Sequence, residues 1–220
     1  MTSAGNDIVS LVSVNITRTQ QPAFYKKILT NFEIDQYREV YSATISFVNY
    51  VWLLWSVKEA AYKYLKRFDA GLVFSPTKFI VSELRKPVTA FDEKFNVVQL
   101  EGIGFDENTS WSSKVGYDFE ILYSRSLYYS DLLHTIVNKT EHFQKVYWGI
   151  KTITDANPEQ QSDAVRGFLL NKLKRVRADN EWQIGKCKNE LPIILNDNTE
   201  FPVSFSHHGL FVAYSFFWDQ

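Results

Sequence analysis

W-S-V-K-E-A-A-Y-K, Trp55 to Lys63, reads as one helix carrying an acid and a base a single turn apart. Residues four apart share a helix face, so Trp55, Glu59 and Lys63 form a column that Lys66 and Arg67 continue. Val57, Ala61, Tyr64, Leu65 and Phe68 occupy the opposite stripe, at the spacing of a core-facing surface. The charged column is therefore free for chemistry, or it is a plain surface ion pair. Glutamate four residues ahead of lysine is the favoured helix orientation and stabilises by about 0.3 to 0.5 kcal/mol. What surrounds the helix decides between the two.

Upstream, β-branched residues predict a strand over Asp7 to Val14, and Thr30 with Glu33 forms a T-x-x-E capping box before a helix reaching Tyr41. The long helix spans Ser46 to Arg67. After the breaker Ser75-Pro76 come strand-like runs at Lys78 to Leu84 and Asn96 to Leu100. The second half repeats this order. G-N-D-I-V-S-L from Gly5 resembles G-Y-D-F-E-I-L from Gly116, Y-K-Y-L-K-R-F from Tyr62 resembles L-N-K-L-K-R-V from Leu170, and K-P-V-T from Lys86 resembles L-P-I-I from Leu191. Three matches in one order, at offsets of about 105 to 111 residues, predict an internal duplication. The expected division is 1–105 and 114–220, joined by a connector at 106–113. Asn157 and Pro158 start the second-half helix, with Gln160 closing its box. Gly167 falls where Glu59 stands in the first, and Asp118 reads as a structural echo of Asp7.

The chain has 220 residues, 45% hydrophobic and 16% aromatic, enough for a substantial core as one large or two small domains. A net charge of -1 points to neither nucleic acid nor an acidic membrane surface. Cys187 is the only cysteine, which excludes an internal disulfide and fits a reducing cytoplasm. The N-terminal residues lack a signal-peptide pattern, and the most apolar stretch, Val48 to Trp55, is far shorter than the roughly 20 residues of a membrane span. A soluble, cytoplasmic protein is the expectation.

Three segments stand out: G-N-D-I-V with Asp7, the helix with Lys58, Glu59 and Lys63, and P-V-S-F-S-H-H-G with Ser206 and His207. Together they resemble the 4'-phosphopantetheinyl transferase superfamily, whose signature is G-x-D, a helix reading W/F-S/A-x-K-E-A/S-x-x-K, and an S-x-S-H strand. F-Y-K-K-I-L-T-N-F-E-I-D-Q-Y, from Phe24, is similar to the segment preceding the helix in the short holo-acyl-carrier-protein synthase type. D-A-V-R-G-F-L-L, from Asp163, is similar to a helix of the S-H half in the long type. The chain thus reads as both halves of the long type in reversed order. The resemblance implies an α+β fold of two pseudo-repeated half-domains, with one site between them and no need to trimerise.

The resemblance also implies a reaction: transfer of the phosphopantetheine arm of coenzyme A to a serine of an acyl or peptidyl carrier protein, with release of 3',5'-ADP. Carriers of fatty-acid, polyketide or peptide synthesis are the expected partners. Asp7 and Glu59 would hold Mg2+, for which Mn2+ could substitute. Glu59 would help deprotonate the serine and Lys63 would sit over the diphosphate as a positive charge. Lys58, Arg166, Ser206 and His207 would contact the coenzyme, and Arg18, Lys26 and Lys27 would meet an acidic carrier. Two departures stand out: Val9 replaces the second acid of D-x-E, and Leu191 replaces the lysine of G-K-P. The latter leaves open an alternative, a catalytically impaired member that binds coenzyme A or a nucleotide.

Overall fold

A computed structural model describes residues 3–89, 98–129, 131–176, 181–196 and 199–218. The chain runs through β1 (Gly5–Ser10), α1 (Ile16–Thr19), α2 (Pro22–Tyr25), α3 (Asn31–Gln36), α4 (Phe47–Leu65), β2 (Ile80–Arg85) and β3 (Gln99–Ile103). It continues through β4 (Trp111–Tyr117), β5 (Glu120–Tyr129), β6 (Leu132–Asn138), β7 (Val146–Thr152), α5 (Pro158–Val176), β8 (Trp182–Lys186), β9 (Pro192–Asn196), β10 (Thr199–His208) and β11 (Phe211–Phe217).

Two antiparallel sheets result, ordered β1-β6-β5-β4-β2 and β3-β7-β11-β10-β9-β8. Apart from β3 the two orders are the same pattern: a strand, a helix, then four strands that return so that the last lies beside the first. The duplication is thus a property of the topology, but not of the segments that suggested it. The counterpart of β1 is β7, and G-Y-D-F-E-I-L forms the hairpin between β4 and β5. Asp118 sits there on an exposed turn at φ 50°, whereas Asp7 is buried in mid-strand. The helices α4 and α5 both have 19 residues, and aligned end to end they set Leu170, not Gly167, opposite Glu59. The connector expected at 106–113 does not separate the sheets, because Trp111–Tyr117 is β4 in the first of them. Apart from the excursion of β3, the change of sheet falls between Asn138 and Val146.

The strand expected from Asp7 to Val14 ends at Ser10, where Leu11–Ser13 turns as a 3-10 helix. The second of the two expected downstream strands is β3; Asn96 and Asn-flanking Val97 lie outside the described residues, and pairing continues to Ile103. β3 crosses to the second sheet and is clamped there by Glu101, which meets Lys172 at 3.1 Å and Arg175 at 2.5 Å on α5.

Capping chemistry fixes the helix starts. Thr30 and Glu33 form the expected box, and the Ser46 hydroxyl accepts from the Asn49 N–H. Beyond α3 the chain continues as a π turn, Tyr37–Tyr41. Glu33 does more than cap: its fully buried carboxylate accepts from the Val81 N–H at 2.8 Å and from Lys58 Nζ at 2.7 Å. Lys58 also donates to the Ile28 carbonyl, so both members of this buried pair have their partners within the protein.

α4 lies in the middle of the first half, with Tyr50, Val51, Leu53, Leu54, Val57 and Ala61 in its core. It packs so closely on β1 that a Cβ at Gly5 would stand 2.1 Å from the Ala60 carbonyl oxygen and 2.9 Å from the Tyr64 amide nitrogen. Both are helix backbone and cannot step aside. A Gly5→Ala variant is expected to lose about 1 to 3 kcal/mol or more of stability, read as a shift in urea midpoint. An unchanged midpoint would mean the helix is not seated as described.

Candidate active site

Alternation along β1 turns Gly5, Asp7 and Val9 toward α4, and Asn6, Ile8 and Ser10 toward the second half. The gap left at Gly5 lets Asp7 reach the helix one turn further on. Lys63 Nζ donates to Asp7 Oδ1 at 3.0 Å and stands 3.2 Å from Glu59 Oε1. One ammonium therefore bridges two carboxylates, one from the strand and one from the helix. Lys63 and Glu59 are 24% and 27% exposed, so this trio opens to solvent on one side. Arg67, the next residue in the column, donates to the carbonyls of Pro192 and Val203 and ties the end of α4 to β9 and β10. The charged column of the helix faces the second half rather than open solvent.

Asp7 is 4% exposed, and its Oδ2 has no hydrogen-bond partner among the described residues. Burial pushes its pKa from 3.8 up to about 7, against the pull of Lys63 and with a smaller push from Glu59. Burial acts to lower Lys63, but the two carboxylates outweigh it and the net shift is upward, so the ammonium stays charged. A buried carboxylate with one idle oxygen, a second carboxylate beside it and an opening to solvent together fit a hard divalent cation. Such an ion completes its shell with water and phosphate oxygens. Asp7 and Glu59 are the residues that would hold it, and Lys63 now supplies the positive charge between them.

β10 approaches from the other half. The Asn6 N–H donates to Ser204 Oγ at 3.0 Å, the Asn6 side chain donates to the Ser204 carbonyl at 3.1 Å, and the Ser10 N–H donates to His208 Nδ1 at 2.9 Å. His207 points the other way and is exposed. Its pKa is lowered by partial burial and by Lys63, and Glu59 opposes the shift, which places it in the electrostatic field of the trio. Arg166 stands on α5 with its guanidinium 5.9 Å from the Phe205 ring, two positions before His207 and so on the same strand face, and Nε donates to Ser162 Oγ at 3.3 Å.

Two of the expected coenzyme contacts are placed elsewhere. Lys58 is fully buried against Glu33 and Ile28, about 100° around the helix from Glu59, where its role is structural. Ser206 is 2% exposed and its hydroxyl is wholly enclosed, facing the junction of the halves rather than a binding surface. Beside Leu191, Glu190 adopts φ 60° in a turn and pairs with Lys186 at 2.8 Å.

The sequence reading missed His134 and His208. His134 is fully buried on β6, with rings of Trp148 at 5.7 Å and Phe105 at 6.3 Å, and burial with the charge of Lys63 pushes its pKa down to about 3. It is a neutral ring at the junction. The only signal was a histidine, beside Thr135, in the otherwise apolar run L-L-H-T-I-V. His208 was overshadowed by its neighbour, since S-H is completed at His207.

A family model described as 4'-phosphopantetheinyl transferase superfamily matches residues 3–137, which is β1 through β6 and includes Asp7, Glu59 and Lys63. No match is found among curated proteins or among solved structures. With more than half of the chain matched, and an α+β fold of two antiparallel sheets that carries the G-x-D strand against the K-E-x-x-x-K helix, the chain belongs to the 4'-phosphopantetheinyl transferase superfamily.

Proposed function

We propose that this member moves the phosphopantetheine arm of coenzyme A to a serine hydroxyl of an acyl or peptidyl carrier protein, as a Mg2+-dependent holo-acyl-carrier-protein synthase. The observation that carries the reading is the convergence of Asp7, Glu59 and Lys63 on one small, half-open cluster. Membership in the family supports phosphopantetheine transfer in general; the geometry supports the division of labour within it.

The serine oxygen forms a bond to the β-phosphorus of the coenzyme, the bond from that phosphorus to the bridging oxygen breaks, and 3',5'-ADP leaves. Little covalent work falls to the protein, so positioning and charge neutralisation dominate. A bound Mg2+ would supply charge neutralisation at the diphosphate. Glu59, on the exposed rim of the cluster, takes the serine proton. Lys63 is long enough to turn from the carboxylates to the diphosphate and gives its charge, or its proton, to the leaving oxygen. His207 and Arg166, on one face of β10 and α5, donate to coenzyme phosphates. Arg18, Lys26 and Lys27 are exposed on the α1–α2 segment, whose Thr19 and Phe24 rest on Trp52 beside His208, and they offer an acidic carrier a basic approach. Among the described residues no helix is long and apolar enough to cross a membrane, and a cytoplasmic setting suits the reaction.

Incubation of an apo-carrier protein with coenzyme A and Mg2+ is expected to add the mass of one phosphopantetheine arm. Glu59→Gln is expected to slow transfer by about 10²- to 10⁴-fold. Coenzyme binding without any mass gain on acyl and peptidyl carriers would instead favour the impaired, binding-only reading.

Lys63 and the metal compete for the same carboxylates. Lys63→Met is therefore expected to tighten Mn2+ binding to the free protein at alkaline pH, followed by electron paramagnetic resonance, while weakening coenzyme A binding about tenfold or more. Weaker Mn2+ binding in that variant would show that the ammonium does not hold the metal position.

Asp7 gives the site a pH dependence of known sign. Its folded pKa of about 7 exceeds the ordinary value of 3.8, so between them the folded protein holds a proton that the unfolded chain has released. The stability that Asp7 contributes is complete below the lower value and is lost as pH rises through about 7. Metal affinity moves oppositely and rises through the same range. Asp7→Asn should flatten the stability profile from urea melts; an unchanged slope would assign it to other groups.

A further inference from the structure

We infer that His208 is a positioning residue that sets the register between the two halves, so that His207 stands opposite Glu59 and Lys63. β1 is the edge strand of the first sheet, paired only with β6. The N–H groups of Asn6 and Ser10 are nonetheless buried, and β10, which packs against β1, forms no ladder with it. Side chains of β10 accept instead: Ser204 Oγ takes the Asn6 N–H and His208 Nδ1 takes the Ser10 N–H. Both bonds join residues 198 apart, so β1 and β10 run in the same direction with constant register. That register brings the enclosed Ser206 abreast of Ile8. Ser204 and His208, the two ends of S-F-S-H-H, thus cap an open sheet edge, and His207, next to the second of them, is turned away from it.

His208 is fitted for this role by its surroundings. Its ring lies 6.3 Å from the Trp52 ring on α4, and Gly209, at φ 57°, brings the turn so close that a Cβ would stand 2.7 Å from Ser13 Oγ and 3.4 Å from Ser10 Cβ. Gln161 on α5 donates to the Gly209 carbonyl at 2.9 Å and holds the turn from behind. An accepting Nδ1 fixes the ring as the neutral tautomer with its proton on Nε2. A residue that only filled space would need no such tautomer.

The kinetic part of the test rests on the transferase reading; the spectroscopic part does not. Nitrogen NMR of the wild-type ring is expected to show Nδ1 unprotonated and Nε2 protonated. His208→Asn, whose Oδ1 lies near the position of Nδ1, should keep the Ser10 amide protected from hydrogen exchange. His208→Leu should speed that exchange about tenfold or more and weaken coenzyme A binding by a similar factor. In transfer assays the Leu variant should lose kcat with little change in carrier KM, and Asn should restore it. A ring protonated on Nδ1, or a Ser10 amide equally protected in the Leu variant, overturns the inference. The tautomer decides the matter even if the Leu variant fails to fold. Absence of transfer by the wild-type protein would count against the proposed function and leave the tautomer and exchange results standing.

Discussion

The seating of α4 directly on β1 is the constraint from which the rest follows. A glycine hydrogen at Gly5, where any other residue would place a carbon within 2.1 Å of the Ala60 carbonyl oxygen, sets the separation of helix and strand. At that separation Asp7 and Lys63 are in hydrogen-bond contact, and with a wider gap they would be ordinary surface charges with water between them. The same strand has a second obligation. Its outer edge needs acceptors, and the second half supplies them from β10. The G-x-D motif is therefore one packing device with two ends: its glycine admits the helix, and its aspartate uses the resulting proximity.

Two acid–lysine pairs start from adjacent positions of one helix and end with opposite meanings. Lys58 and Glu33 are both wholly buried, and the carboxylate is further held by the Thr30 and Val81 N–H groups. Each polar atom of the pair has at least one partner inside the protein, which is the condition for a buried ion pair that supports a fold. Glu59, Lys63 and Asp7 are partly open, and Asp7 keeps an idle oxygen. Burial without full satisfaction raises the pKa of Asp7 and leaves the cluster able to accept another cation. Residual hydrogen-bonding capacity, more than charge or position in a motif, separates the functional pair from the structural one.

Much of this was legible from sequence because it rests on local rules. The capping box at Thr30 and Glu33, the start of α4 at Ser46 and the start of α5 after Asn157 follow from side chains satisfying nearby amides. The Glu59–Lys63 spacing follows from helix pitch, and its partnership with Asp7 came through the resemblance. What could not be read was non-local. Lys58 differs from Glu59 by one residue, and only the position of Glu33 across the helix determines that it points inward. Ser206 and His207 are equally adjacent, and only the place of β1 decides which is enclosed. The repeat lies in the strand order and not in the segments that share letters. Topology is preserved between halves by the order of strands, which sequence similarity at G-Y-D-F-E-I-L does not report, since a hairpin turn and a strand can share letters without sharing geometry.

The two halves share one strand order, yet they meet through side chains that differ between them. β1 and α4 of one unit and the end of β10 of the other meet across a junction built by Ile8, Leu127, Ile136, Trp148 and Ala213, to which the link adds Phe143. The link from Asn138 to Val146 is short and carries none of the residues assigned to the site. Each unit contributes its own core, packed on its own helix. Divergence could then proceed separately on each: aligned end to end, α5 keeps a lysine, Lys174, opposite Lys63 but has Leu170 opposite Glu59. An acid on one helix and an edge-capping strand on the other are complementary losses and gains. Two copies of one topology thus carry different side chains at equivalent helix positions, and the Asp7, Glu59 and Lys63 cluster belongs to the first alone.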